Sequence, residues 1–599
     1  MNTYIKIIGQ IYYTLIRAIL TLTFVMGTIC TAVFGQQVKV SSGAYIYIEG
    51  TAFININNAD FINNGIYTKD TETVILSGNI AKEVSGSSNT EIHNLLVTNT
   101  GGITMLLDQL TVNDLAIITG SKFTINPAKA LLVGGTLTNS AGTSGFIIKS
   151  NATGTAALIH NTDNVPATVQ RYISGSSEDW HFLSSSVSNQ IIGGSWLPSG
   201  TYGNGTGYDL YLWDEPNSCW IYYLDITSAL NWTMFHAGAN FEVGRGYLYS
   251  VQATNPTKEF SGNLNNGTLD YRLTISSTDI GLQGFNLIGN PYPSSINWQA
   301  SSGWARSNLV ESGGGYDMWI WNPAANNYGV SNSYSGISTN GVTQNIAPMQ
   351  GFFVNARNTG YLTMNNNIRV FEGASSWLKS VQINESNFSV SVISEAGNGS
   401  DEAIISFGYT KNERGATKLF SRIPSAPSLY MVSVSESLTV RYLTNTEENP
   451  AVPISFKAGA SGNFTLSCNF DSFNFETVML EDRKTGYIQN MKAFNSYSFY
   501  SSKSDAANRF VLHFGPAGSN SDSGFPAKIY TDGSYLIIDL TLISNETTVL
   551  VYDIMGRQLV NKKLEGETIH KLNVNSASQI LIVSLRNVAG TLNQKVFWK

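Results

Sequence analysis

Charged side chains are scarce in this sequence. Asp, Glu, Lys and Arg make up 13% of its 599 residues, against about 25% in ordinary soluble domains. The surface must then be polar through Asn, Ser, Thr and Gly, which fits an extracellular β protein better than a cytosolic enzyme. Cysteine is rarer still. Cys30 falls in a segment read below as an export signal, and Cys219 and Cys468 fall in separate segments, which argues against a disulfide framework. Good helix formers are sparse, and no long apolar pattern with helical spacing follows residue 40. Six histidines are scattered at His93, His160, His181, His236, His513 and His570, with no HExxH pair and no Cys/His ligand spacing. GxSxG, a Gly-Lys dipeptide and an Asp-x-Asp-x-Asp-Gly loop are also missing. No cofactor or metal is therefore expected, although a site assembled from distant positions stays open.

What is present is β-like. There are 29 Tyr and 28 Phe beside 55 Gly, a mix that suits strands closed by turns. The length allows about four domains of roughly 150 residues. Formal charge is −7. The first 35 residues hold Lys6 and Arg17 and no acid, so the remainder carries 33 basic and 42 acidic residues, a net −9. An acidic chain without basic clusters is not a nucleic-acid binder. Lys6 and Arg17 precede an apolar run from Ala18 to Ala32, then Val33-Phe34-Gly35. This reads as a secretory signal peptide over 1–35, cut between Gly35 and Gln36, with an uncleaved membrane anchor as the alternative.

The chain divides by pattern. Residues 36–160 hold short runs such as Tyr45-Ile-Tyr-Ile48, Val74-Ile-Leu-Ser-Gly78 and Leu131-Leu-Val-Gly-Gly-Thr-Leu137 at regular spacing. Such spacing without helices predicts β-solenoid rungs, with an ordinary sandwich as the alternative. Asn57, Asn58, Asn63, Asn64, Asn99 and Asn139 suit the corners, because Asn tolerates left-handed backbone and bonds local peptide groups. Residues 165–375 read as duplicated β lobes. Tyr208-Asp-Leu-Tyr-Leu-Trp213 recurs as Tyr316-Asp-Met-Trp-Ile-Trp321, Gly246-Tyr-Leu-Tyr249 as Gly351-Phe-Phe-Val354, and Trp180-His-Phe-Leu183 as Phe285-Asn-Leu-Ile288, at offsets of 108, 105 and 105. Residues 380–515 carry at least five strand-like runs and read as a β-sandwich. Residues 516–526 are a Gly/Ser/Asn/Pro linker. Residues 527–599 form a small terminal β domain whose Val549–Asp553 run turns at residues 554–557 and returns. The fold class expected is all-β.

That last domain resembles the type A C-terminal sorting domain of the type IX secretion system, an Ig-like β-sandwich. The resemblance rests on Val551-Tyr-Asp-Ile-Met-Gly-Arg557, Leu559-Val560 and the terminal Lys595-Val-Phe-Trp-Lys599. It departs at Tyr530-Thr-Asp-Gly533, where an Asn-Pro is usual, and at Ser578-Gln-Ile-Leu581, where a Gly-x-Tyr is usual. Gly284-Phe-Asn-Leu-Ile-Gly-Asn-Pro-Tyr-Pro293 and Ile346-Ala-Pro-Met-Gln-Gly-Phe-Phe353 resemble recurrent motifs of cargo proteins of that system. The resemblance implies delivery to the cell surface or medium. Its implied partners are the translocon and its sortase, with removal of the sorting domain and attachment to surface lipopolysaccharide. It marks Tyr552, Asp553, Gly556, Arg557, Lys595 and Lys599 as the sorting motif. It implies no activity.

Two chemical readings remain to be weighed. Asp209, Asp214 and Glu215 lie near Trp213, with Asp317 as the repeat partner of Asp209. Paired carboxylates can hydrolyse glycosides, but an Asp repeated in both lobes is more simply a turn residue. Ten of eleven Trp lie between Trp180 and Trp377. Trp213, Trp319 and Trp321 are read as core, where aromatics dominate buried area. Trp196, Trp220, Trp232 and Trp304 are the candidate glycan contacts. The leading expectation is a non-enzymatic exported protein with a structural or adhesive role, bound to a glycan or another surface protein. A carbohydrate-binding protein and a hydrolase with an undeclared site are the alternatives.

Overall fold

The computed structural model describes residues 37–598 except 177–178, 200–208, 226, 251–252, 372–386, 410–413, 434–435, 445–450, 471–476, 516–526, 532–534, 542, 578 and 589. The signal-cleavage pair Gly35 and Gln36, and Lys599, lie outside the described residues. The chain is all-β. Among the described residues the one α-helix is the single turn Trp232–Phe235, and no helix is long and apolar enough to cross a membrane. Two compact units emerge: residues 1–323 with 328–381, and residues 324–327 with 382–599.

The first unit begins as a β-solenoid. The chain alternates between two parallel ladders. One runs through Gln37–Val40, Asp60–Asn63, Lys82–Ser85, Ile103–Met105, Phe123–Ile125, Phe146–Ile148 and Pro166–Tyr172. The other runs through Phe53–Asn57, Thr73–Ser77, Thr90–Val97, Gln109–Ile117, Ala130–Val133 and Ala157–Ile159. Alternation along each strand sends every second side chain inward, and the parallel register stacks like on like. Phe61, Val84, Met105, Ile125, Ile148 and Val169 form one buried row. Ile56, Leu76, Val97 and Ile117 form another. Each rung alone would expose its apolar face, so stacking is what stabilises it.

Asparagines hold the corners. Asn58 takes φ 47°, and its side-chain oxygen accepts the N–H groups of Asn79 and Ile80 in the next rung. Asn99 is fully buried, donates to the carbonyls of Ser77 and Ile80 and accepts from the Gly102 N–H. Asn63, Asn64 and Asn139 act similarly, whereas Asn57 ends a strand.

The boundary expected near residue 160 is not a break in packing. Strand Pro166–Tyr172 is at once the last rung of its ladder and the antiparallel partner of Thr257–Leu264. One apolar core therefore runs from Val40 to Phe260 and Leu264.

The duplication is real in three dimensions. The first lobe orders its strands Trp180–Leu183, Tyr247–Ser250, Asp209–Asp214, Cys219–Tyr222. The second orders Phe285–Gly289, Gly351–Asn355, Gly315–Asn322, with Asn327–Asn332 paired to the last. Registers coincide too. Leu183 faces Tyr247 as Ile288 faces Phe352, and Leu210 faces Tyr249 as Met318 faces Val354. The lobes then exchange equivalent contacts. Leu183 bridges Gln350, and Ile288 bridges Arg245. The Ser184 N–H donates to the Met349 carbonyl, and the Gly289 N–H to the Gly244 carbonyl. Each pair maps onto the other at the 105-residue offset, which makes the lobes a pseudo-twofold pair.

Ser184 and Gly289 are repeat partners meeting at the axis of that pair. A Cβ on Gly289 would sit 2.1 Å from the Ser184 Cβ, so only one of the two positions can carry a side chain. Gly289→Ala is expected to destabilise the first unit by about 1–3 kcal/mol through overpacking. Chemical denaturation followed by Trp fluorescence checks this, and Gly281→Ala at a less crowded site serves as the control.

The second unit holds two further cores. Residues 387–515 form a continuously hydrogen-bonded, ten-strand path that folds over Phe388, Ile405, Leu429, Ile454, Leu466, Leu480 and Leu512. Residues 527–598 pack a three-stranded sheet (Lys528–Thr531, Leu536–Asp539, Ile569–Leu572) with a four-stranded one (Gln558–Leu564, Thr547–Asp553, Gln579–Asn587, Gly590–Trp598).

Candidate functional site

The carboxylates near Trp213 are held by polar partners. Glu215 is 3% exposed, and its carboxylate accepts the N–H groups of Ser276, Ser277 and Gly284. It thereby fixes the start of the second lobe's first strand from a hairpin of the first lobe. Asp214 accepts the backbone and side-chain N–H groups of Asn217 and closes its own turn. Asp317 accepts from Asn332 Nδ2 at 2.7 Å. Burial pushes the Asp209 carboxyl above its ordinary value, against the opposing hydrogen bond from Tyr222.

Asp214 and Glu215 also line a cleft of about 350 Å³ with Glu242, Arg245, Asp270 and Arg272. Sequence spacing gave no sign of these last four. Glu242 pairs with Arg245 at 2.8 Å, and Asp270 accepts from Thr363 Oγ1 at 2.6 Å. Each acid of the cleft therefore has a donor or a cation. The arrangement is a basin of fixed acceptors and two guanidinium-bearing side chains, suited to polar hydroxyl or charged groups. No group of three or more His, Cys, Asp or Glu able to hold a metal ion occurs among the described residues.

The Gly284–Pro293 motif is structural. Asn290, fully buried, donates to the carbonyls of Ser294, Ile346 and Ala347 and accepts the Tyr292 N–H.

The tryptophans proposed as glycan contacts are committed to packing. Trp196 is 2% exposed, donates to the Glu259 carbonyl and packs on Phe241, Tyr249 and Phe260. Trp232 is 4% exposed and stacks on His236. Both are corrected to core residues, because a ring surrounded by other rings offers no face to a sugar. Trp220 is partly exposed but wedged among Phe182, Trp213 and Phe353. Trp304 is one wall of a box with Trp298 and Tyr316 that the Arg306 guanidinium fills. Desolvation pushes Arg306 down to about 10. Trp213, Trp319 and Trp321 are buried as expected.

In the terminal domain, Asp553 builds the hairpin. Its Oδ1 accepts the N–H groups of Met555 and Arg557, and its Oδ2 pairs with Arg557 Nε at 3.0 Å. The Arg557 backbone N–H, then its guanidinium, hold the carboxyl below its ordinary range. Gly556 takes φ 78°, which a side chain would strain. The tip residues Ile554 and Met555 are 63% and 86% exposed. Tyr552 lies opposite Gln558 and Ile582, and Lys595 opposite Ile582.

Among solved structures, a biofilm-associated protein BSP domain aligns at 10% identity, covering 73% of this chain and 93% of that chain, with a TM-score of 0.12. A Ca2+-stabilised adhesin described as helping an Antarctic bacterium reach out and bind ice aligns at 12% identity, covering 72% and 99%, with a TM-score of 0.08. Both scores lie far below those of a shared fold. No curated protein sequence matches. A family model described as a domain of unknown function, DUF8693, matches residues 49–514, so this chain belongs to that family.

Proposed function

We propose that this chain is an exported, non-enzymatic protein of the cell surface or medium, with a structural or adhesive role. Residues 527–599 serve as its address for type IX secretion. The translocon and its sortase are the partners of that domain, and surface lipopolysaccharide is the anchor when the protein stays attached. The observation that carries this reading is the terminal domain itself. It has its own core and ends a hairpin with an Asp553-pinned turn whose apolar tip faces solvent. A stacked solenoid with Asn corners gives such a protein a stiff exterior that needs little surface charge.

The test is cell fractionation of the full chain and of a chain lacking residues 527–599. The full chain is expected at the surface or in the medium, and the truncated chain inside the envelope. Equal export of both would overturn the reading.

A second reading, glycan binding, now rests on the cleft around Asp270 and Arg272 rather than on tryptophan. Asp270→Ala with Arg272→Ala should then abolish retention on a glycan array that the intact chain shows.

A further inference from the structure

We infer that Lys418 and Asp401, inside the sandwich of the second unit, are joined by a side-chain amide bond. Lys418 Nζ lies 2.7 and 2.6 Å from the two oxygens of Asp401. The two side chains are 1% and 0% exposed. Asp401 sits at the start of strand Ser400–Tyr409, and Lys418 directly follows Ala416–Thr417. Both strands pair with Glu436–Thr444, so the contact ties two strands that share that partner.

Three features turn an ion pair into reacting groups. First, the pair is dry. Two charges held in such a site carry a large desolvation cost that a neutral amide does not. Second, backbone donors already point at both carboxyl oxygens. The Leu429 N–H donates to Oδ2 at 2.6 Å and the Glu402 N–H to Oδ1 at 2.9 Å. Donors so placed stabilise negative charge developing on oxygen when the carbon is attacked. Third, the folded chain holds amine and carboxyl together, which replaces an encounter with a fixed approach. A second buried pair of the sandwich, Arg509 with Asp482, cannot follow this course, because a guanidinium keeps its proton.

The step balances without an oxidant or co-reactant. Lys418 passes a proton to Asp401, leaving a neutral amine beside a neutral acid. The Nζ lone pair attacks Cγ, the Nζ–Cγ bond forms and one Cγ–O bond breaks. That oxygen leaves as water with two of the three ammonium protons. One N–H remains on the amide. A link of this kind would keep strands together under pulling loads on a surface protein, but it does not depend on the export reading.

Mass spectrometry of the purified full chain, denatured and digested with trypsin, tests it. The expected product is peptide 380–411 joined to peptide 415–422, with no cleavage at Lys418 and a mass one water below the sum of the two. Asp401→Asn should give the same linked product by loss of ammonia. Lys418→Arg, which keeps the charge, should release the peptides separately. Recovery of unlinked 380–411 with cleavage after Lys418 from the unaltered chain overturns the proposal, and that reading needs no variant to fold.

Discussion

Phe353→Ala is expected to destabilise the first unit by about 3–5 kcal/mol, the cost of removing a large ring from a packed core. Phe353 is 3% exposed and sits in strand Gly351–Asn355 of the second lobe. Its ring contacts Phe182, Trp213 and Trp220 of the first lobe at centroid distances of 5.4, 5.8 and 6.3 Å. It contacts Phe285 and Tyr328 of its own lobe at 6.3 and 6.0 Å. The facing rings cannot readily fill the void. Trp213 is held by its Nε1–H bond to the Phe285 carbonyl at 2.6 Å, and Phe182 and Phe285 are fixed in paired strands. The lobes meet through this aromatic layer, so the variant should loosen both together in one transition. Urea denaturation read by Trp fluorescence measures the effect. Phe53→Ala, at a site 69% exposed, should change stability by no more than about 0.5 kcal/mol. A Phe353 variant as mild as that control would show that the lobes do not share a core.

The duplication was legible because burying one face of a strand forces alternation. Tyr208-Asp-Leu-Tyr-Leu-Trp213 and its copy carry that constraint in their residue order. The solenoid was legible for the same reason, with the Asn corners as punctuation. What the order of residues does not carry is direction across the sheet. Trp196 and Trp232 read as candidate platforms from sequence, because a tryptophan count says nothing about which face a ring joins, and both point into the first core. The axis between Ser184 and Gly289 was equally hidden, since it is a contact between repeats and not a feature of either. Glu215 was weighed as an acid for catalysis, yet its partners lie some sixty residues downstream at Ser276, Ser277 and Gly284. Buried contacts such as Lys418–Asp401 and Arg509–Asp482 bridge strands at separations that obey no local spacing rule. Nor was the end of the solenoid readable. Pro166–Tyr172 has the pattern of any half-buried strand, and its double pairing appears only when the ladders are assembled.

Asp482→Ala should cost the second unit about 3–5 kcal/mol, because it strands a buried guanidinium. Asp482 and Arg509 are 1% and 3% exposed at their side chains, with an Nη2–Oδ2 distance of 2.7 Å and an Nε–Oδ1 distance of 2.9 Å. Tyr497 donates to the same carboxylate at 2.9 Å, and Arg509 Nη1 donates to the Tyr500 carbonyl at 2.8 Å. The guanidinium also lies over the Phe499 and Phe510 rings, at 4.5 and 5.1 Å, so the aromatic core is built around it. Removing the carboxylate leaves that buried charge with only Asp505, 4.0 Å from Nη1 and itself paired with Lys484, as a counter-ion. Replacing both partners, as Asp482→Ala with Arg509→Met, should recover part of the loss, because the uncompensated charge goes with the pair. The pH dependence has a definite sign. Burial alone would raise the Asp482 carboxyl, but Arg509's hydrogen bonds and charge, with Tyr497 and the Lys484 N–H, outweigh it and hold the group below its ordinary value. Its contribution is thus complete above the unfolded carboxyl value of about 3.9 and fades as pH falls through the lower folded value. Denaturation of the unaltered chain should weaken along that acid limb, and the doubly substituted chain should weaken less. A double variant no more stable than Asp482→Ala would mean that the stranded charge is not the source of the cost.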